Sequence, residues 1–84
     1  MLVEVRLPQW GMGMSEGTVV GWRKRVGEHI AEGEALAQIV TAKVEVELES
    51  PETGVLTEIL VSEGETVPIY TALAVIDVAD ENVG

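Results

Sequence analysis

Cysteine is absent from this 84-residue chain, and basic side chains are scarce, five against fifteen acidic ones, for a net charge of −10. Without cysteine no disulfide framework can hold the fold, and the redox compartment is left open. The acidic balance argues against nucleic acid, whose backbone must be met by Lys and Arg. It disfavours anionic membrane surfaces for the same reason. No apolar run approaches the ~20 residues of a membrane span. The opening Met1-Leu2-Val3-Glu4-Val5-Arg6 alternates apolar and charged residues, which suits a strand and not a signal peptide. One histidine and no cysteine offer no nucleophile–base pair and no Ser-His-acid constellation. A chain of this length suffices for one core burying about 60–65% of its extended surface. The expectation is a single soluble, monomeric, intracellular domain, cytoplasmic or, in a eukaryote, in the mitochondrial matrix.

What the chain does contain is a repeat. A shift of 37 residues lays Gly17 on Gly54, Gly27-Glu28 on Gly64-Glu65, and Ala35-Leu36-Ala37 on Ala72-Leu73-Ala74. Ile30 and Ile39 fall on Val67 and Ile76. The opening strands, Val3–Leu7 and Val44–Leu48, match with a shift of 41, which assigns four extra residues to the first copy, in the loop Gln9–Glu16. The copies run Val3–Val40 and Val44–Asp77, and Lys43 stands at their junction. Most paired positions are explained by duplication alone, each half burying the apolar face the other cannot bury by itself. The junction and the extra loop are what break the symmetry.

The dominant period is two. Val3, Val5 and Leu7 alternate with Glu4 and Arg6, and Val44, Val46 and Leu48 with Glu45, Glu47 and Glu49. Thr18–Trp22 and Val55–Leu60 are further strand runs, each following a glycine expected to supply a positive φ. Short strands are expected at His29-Ile30 and Thr66-Val67. Ala35–Val40 and Ala72–Val78 do not alternate cleanly, which suggests bulges. The fold class is therefore all-β: a flattened barrel or sandwich of two four-stranded antiparallel sheets related by a quasi-twofold axis. Lys43 is expected at one tip and both termini near the other end. The domain is assigned residues 1–79, and Asp80–Gly84 a flexible tail or the start of a linker.

The stretch Leu7-Pro8-Gln9-Trp10-Gly11-Met12-Gly13-Met14-Ser15-Glu16-Gly17, running into Thr18–Trp22, resembles the opening of lipoyl domains of the biotinyl/lipoyl attachment family. Val40-Thr41-Ala42-Lys43-Val44-Glu45 falls where that family has its lipoylation hairpin, and Ser50-Pro51-Glu52-Thr53-Gly54 matches the turn that follows. The resemblance covers residues 3–78. It implies a non-catalytic swinging-arm carrier, with lipoate amide-linked to Lys43, flanked by Ala42 and Val44. The implied partners are a thiamine-diphosphate-dependent dehydrogenase component, an acyltransferase domain, a flavin-dependent dihydrolipoamide dehydrogenase and a lipoate ligase. The dithiolane would be reductively acylated at the first, pass its acyl group to coenzyme A at the second, and be reoxidised at the third. The complex would act on a 2-oxoacid or on acetoin, with Met12 and Met14 hinting at acetoin.

Two departures from the family pattern stand out: Ala42 replaces the usual Asp before the lysine, and Met12 stands where the loop often has Glu. Biotin carrier domains flank their lysine with methionines, which Ala42 and Val44 are not. A biotin carboxyl carrier is one alternative, and an unmodified assembly module of the same fold, favoured by Ala42, is another. Trp10, Met12, Met14 and Glu16 are the candidate partner-binding residues, since Met and Trp make adaptable contact surfaces. Trp10 and one methionine could equally cap the core. Lys24, within Arg23-Lys24-Arg25, is the only other lysine; by the repeat it aligns with Val61, away from the junction. His29 is expected on the surface, Trp22 in the core or at its edge, and the glutamates at 45, 47 and 49 on a solvated strand face.

Overall fold

A computed structural model describes residues 1–78. The domain boundary at 79 and the segment Asp80–Gly84 lie outside the described residues. Eight strands follow in order: β1 (Leu2–Arg6), β2 (Glu16–Trp22), β3 (His29–Ile30), β4 (Ala35–Val40), β5 (Glu45–Glu49), β6 (Gly54–Ile59), β7 (Thr66–Pro68) and β8 (Ala72–Asp77). They form two four-stranded antiparallel sheets, ordered β1-β8-β6-β3 and β5-β4-β2-β7. Adding four to the strand numbers of the first sheet, with wrap-around, generates the second. That is the quasi-twofold, and each sheet mixes strands of both copies, so neither half can form its sheet alone. Both sheets keep open edges, so the architecture is a sandwich and not a closed barrel.

Repeat-related side chains fill the space between the sheets. Val19 and Leu56, Leu36 and Leu73, Ala37 and Ala74, and Ile39 and Ile76 are all buried. The bulges fall at equivalent places too. The register of β4 on β5 steps over Leu36, and that of β8 on β1 steps over Leu73. The extra residue lets two consecutive apolar side chains, Leu36-Ala37 and Leu73-Ala74, both turn inward. This is why these strands break the alternation. A second pair of bulges, at Val20 and Thr57, kinks β2 and β6.

The register corrects one alignment. Leu2–Arg6 pairs with β8 as Glu45–Glu49 pairs with β4, so the opening strands are related by a shift of 43 and not 41. The first copy therefore carries six extra residues before Gly17, not four. A two-residue error keeps every side chain on its own face, so alternation alone could not detect it.

The glycines need a second correction. Gly17 and Gly54 do not have positive φ; among the described glycines only Gly13, Gly27, Gly33 and Gly64 do. Both are required by close approach instead. A Cβ on Gly54 would stand 2.4 Å from the carbonyl oxygen of Asp77, and one on Gly17 would stand 3.0 Å from Cγ2 of Ile39.

Turns at 25–28, 31–34 and 62–65 share one design. Glycine takes the left-handed position, with φ of 98°, 88° and 91° at Gly27, Gly33 and Gly64. The glutamate that follows accepts the N–H three residues back: Glu28 from Arg25 at 2.7 Å, Glu34 from Ala31 at 2.9 Å, Glu65 from Ser62 at 2.7 Å. For Glu34 this bond, reinforced by the Lys24 amine, holds the carboxyl below its ordinary value.

Candidate functional site

Strands β4 and β5 are joined by a tight turn, Thr41–Val44, with Ala42 and Lys43 exposed at its tip. Thr41 organises it. Its N–H donates to the carbonyl of Val44 at 2.8 Å, closing the hairpin. Its hydroxyl oxygen accepts from the N–H groups of Lys43 at 3.3 Å and Val44 at 3.2 Å, and donates to the Val44 carbonyl at 3.2 Å. A side chain thus holds the backbone that a glycine turn would hold by φ alone. Neither tip residue has a positive φ, so any L-residue fits there without strain.

Lys43 makes no ion pair with any described residue. Lys24 differs. Its amine lies 3.1 Å from Oε2 of Glu34, and its side chain is only 22% exposed. It stands where the second copy has the buried Val61, so its stem lies against the fold and its charge is matched. Of the two lysines, one is tied down and the other projects.

The loop between β1 and β2 folds beside the Lys43 turn. Trp10–Glu16, Thr18 and Val40–Val44 line a shared groove of about 660 Å³. Of the four residues expected to contact a partner, Met12 is 95% exposed and Trp10 is 39% exposed. Met14 packs partly against the core, and its sulfur accepts the N–H of Trp10 at 3.4 Å. The loop thus divides its work: Met14 anchors it and Met12 stands free. Glu16 also lines the groove, but as the first residue of β2, paired with Pro68.

Other candidates lie elsewhere. His29 is exposed on β3 and lines a separate cleft with Glu32, Glu52 and Asp77. Trp22 sits at the core edge, its indole N–H donating to Val61 O at 2.9 Å. Glu47 is not simply solvated: Arg23 forks onto its two oxygens at 2.9 and 3.4 Å. The turn-holding role of Thr41 escaped the sequence reading, although a hydroxyl residue immediately before a two-residue hairpin tip is a recognisable signal.

Met1 and Val78 lie away from this groove, and the C-terminal end expected beside them lies outside the described residues. The N–H of Leu7, just ahead of the loop, is bonded to Thr71 O. From there β8 carries the chain about 17 Å, at ~3.3 Å per residue, to Asp77. There the N-terminal amine meets Asp77 Oδ1 at 3.3 Å and the carbonyl of Val78 at 3.0 Å. Lys43, unpaired among the described residues, thus stands on a braced two-residue tip at the quasi-twofold counterpart of Met1 and Val78. The family model described as "Biotin-requiring enzyme" matches residues 3–76. The chain belongs to the biotinyl/lipoyl attachment family.

Relatives sharpen the assignment to the lipoyl branch. The dihydrolipoyllysine-residue acetyltransferase component of the acetoin cleaving system of Bacillus subtilis is 46% identical over 83 residues, covering 99% of this chain and 21% of that protein. The succinyltransferase component of the 2-oxoglutarate dehydrogenase complex of Staphylococcus saprophyticus is 44% identical over 73 residues, 87% of this chain and 17% of that protein. The solution structure of the lipoyl domain of the Azotobacter vinelandii 2-oxoglutarate dehydrogenase complex superposes with a TM-score of 0.73 at 31% identity. It covers 89% of this chain and 95% of that one. The chain thus has the length of one lipoyl domain and about a fifth of the length of these acyltransferase components.

Proposed function

We propose that this lipoyl-type domain is a swinging-arm carrier within the acyltransferase component of a 2-oxoacid or acetoin dehydrogenase complex, with lipoate amide-linked to Lys43. The observation that carries the reading is the state of the two lysines: Lys43 is unpaired among the described residues, on a turn fixed by Thr41, while Lys24 is engaged by Glu34. An acceptor amine needs exposure, a fixed base and room for a modifying enzyme, and the β4–β5 tip supplies all three.

When bound, lipoate supplies a dithiolane that takes up an acyl group with two reducing equivalents, chemistry that belongs to the cofactor. The protein's own tasks are fewer. Thr41 fixes where the arm leaves the fold, the bulged sandwich keeps the hairpin rigid, and the Trp10–Glu16 loop offers an apolar wall beside the root of the arm. Amide formation removes one positive charge, taking the chain from −10 to −11, and replaces a hydrated ammonium with an extended apolar arm. The domain has no catalytic task of its own in this reading. Its partners are a thiamine-diphosphate-dependent dehydrogenase component, the acyltransferase domain, dihydrolipoamide dehydrogenase and a lipoate ligase.

The test is peptide mapping of protein incubated with lipoate ligase and lipoate. A lipoyl-sized increment is expected on the peptide holding Lys43 and none on the peptide holding Lys24. A biotin-sized increment on protein from biotin-fed cells would move the domain to carboxyl transfer. No increment beside a control domain that is modified would make it an unmodified module.

A further inference from the structure

The glycine-containing turns have a fourth relative that breaks their rule. In Pro68–Thr71 the left-handed position is taken by Tyr70, with φ 70°, the one non-glycine residue of positive φ among the described residues. A shift of 37 places Tyr70 on Gly33, and the two sites make the same backbone bonds. The N–H of Gly33 donates to Ser50 O at 2.9 Å and that of Tyr70 to Leu7 O at 2.7 Å. In return Ser50 donates to Glu34 O at 2.9 Å and Leu7 to Thr71 O at 3.0 Å.

The turn's other departure has a local reason. The three glutamates each cap an N–H three residues back, but Pro68 has no N–H, and Thr71 stands in the glutamate's place. Nothing within the turn calls for a tyrosine. A side chain at such a φ strains the backbone, and strain of this kind persists where the surroundings use it.

What sets the fourth turn apart is its neighbour, the β1–β2 loop with its six extra residues. The Tyr70 hydroxyl donates to Oε1 of Gln9 across a long 3.4 Å contact. Gln9 in turn donates from Nε2 across the base of the loop to Met14 O at 3.2 Å. The same turn grips the loop at both ends, through Leu7 before it and through Ile69, whose N–H donates to Ser15 O at 3.0 Å. Arg6 Nη1 donates to the Tyr70 carbonyl at 2.8 Å.

We propose that Tyr70 is a positioning residue: through Gln9 its phenol holds the Trp10–Met14 segment as the wall of the Lys43 groove, and the left-handed strain is retained for that purpose. The consequence for modification rests on Lys43 being the attachment site; the ordering of the loop does not.

The experiment compares Tyr70→Gly, Tyr70→Ala and Tyr70→Phe with wild type. Glycine is the residue this backbone favours, so Tyr70→Gly should melt at or above the wild-type temperature. In the same variant, amide exchange at residues 11–15 of the unmodified domain should accelerate about five- to tenfold, the effect of losing one tethering contact. Tyr70→Ala should loosen the loop equally while melting lower, and Tyr70→Phe should fall between alanine and wild type in exchange. With lipoate ligase, glycine and alanine variants should raise KM and leave kcat unchanged. Loop exchange unchanged in the glycine and alanine variants would overturn the brace, and a lower melting temperature for Tyr70→Gly would overturn the claim that left-handed strain is retained for it. Faster exchange with unchanged KM would overturn its link to Lys43. Failure of Lys43 to accept lipoate at all would leave the exchange result standing and fall on the carrier reading alone.

Discussion

Replacing Gly54 with alanine adds one methyl group and should be among the most damaging small changes available in this domain. The new Cβ would lie 2.4 Å from Asp77 O, 3.0 Å from Asp77 C and 2.9 Å from Ile76 Cγ2. Two of these atoms are backbone of β8, which pairs with β1 on one side and β6 on the other. Relief thus requires a strand to move against both neighbours. Overpacking in a close-packed core costs about 1–3 kcal/mol, and a clash with backbone belongs at or above the upper end. For a domain of this size total stability is about 4–13 kcal/mol, and each kcal/mol shifts Tm by roughly 4–8 °C. We expect Gly54→Ala to lose about 3 kcal/mol. Gly17→Ala, facing only the tips of Ile39 and Leu7, should lose about 1 kcal/mol. Gly27→Ala, with open space but φ of 98°, should lose about 1–2 kcal/mol from left-handed strain. Urea denaturation of the three variants gives the ranking. A Gly54→Ala protein within about 0.5 kcal/mol of wild type, the range of inert surface changes, would refute the close-approach reasoning. So would a Gly27→Ala protein less stable than Gly54→Ala.

Thr41→Val should cost only about 0.5–1 kcal/mol, because the exposed N–H groups it frees can turn to water. It should nonetheless lower kcat/KM for lipoylation several-fold, with Thr41→Ser restoring it; equal rates for all three forms would remove Thr41 from the account. Ala42→Asp introduces no strain at an exposed tip, so unfolding should stay within about ±0.5 kcal/mol while ligation speeds up; a slower reaction would contradict it. Glu34 is held below its ordinary carboxyl value first by the Ala31 N–H and then by Lys24. A group whose folded pKa is depressed stabilises the fold above its unfolded value, and that contribution fades as pH falls through the folded one. Urea midpoints should therefore drop on acidification below about pH 4.5 in wild type, and less steeply in Glu34→Gln. Parallel curves would count against it.

Much of this architecture is visible in the residue pattern because two independent signals agree. Alternation over Val3–Leu7 and Val44–Leu48 marks strands with one buried face, and the 37-residue repeat forces the strands into symmetric partners. The same alternation hides register, and so the opening strands aligned two residues out of place. Glycine is ambiguous in sequence, since Gly54 and Gly27 look alike although one is needed for space and the other for φ. Only three-dimensional neighbours distinguish them. Lys43 was legible as the junction of the copies, and Lys24 as the counterpart of buried Val61. Thr41 and Tyr70 were not singled out, because Thr41 acts on backbone atoms brought close by the hairpin and Tyr70 on a side chain of the extra loop, neighbours that only the fold supplies.

The central claim is that this domain carries lipoate on Lys43, and intact mass tests it most directly. Protein from lipoate-fed cells would be weighed beside its Lys43→Arg and Lys24→Arg forms, with melting curves to show that all three fold. The account predicts a lipoyl-sized increment in wild type and Lys24→Arg that is missing from a normally folded Lys43→Arg. An increment that survives Lys43→Arg, or none in wild type beside a control domain that is modified, would contradict it.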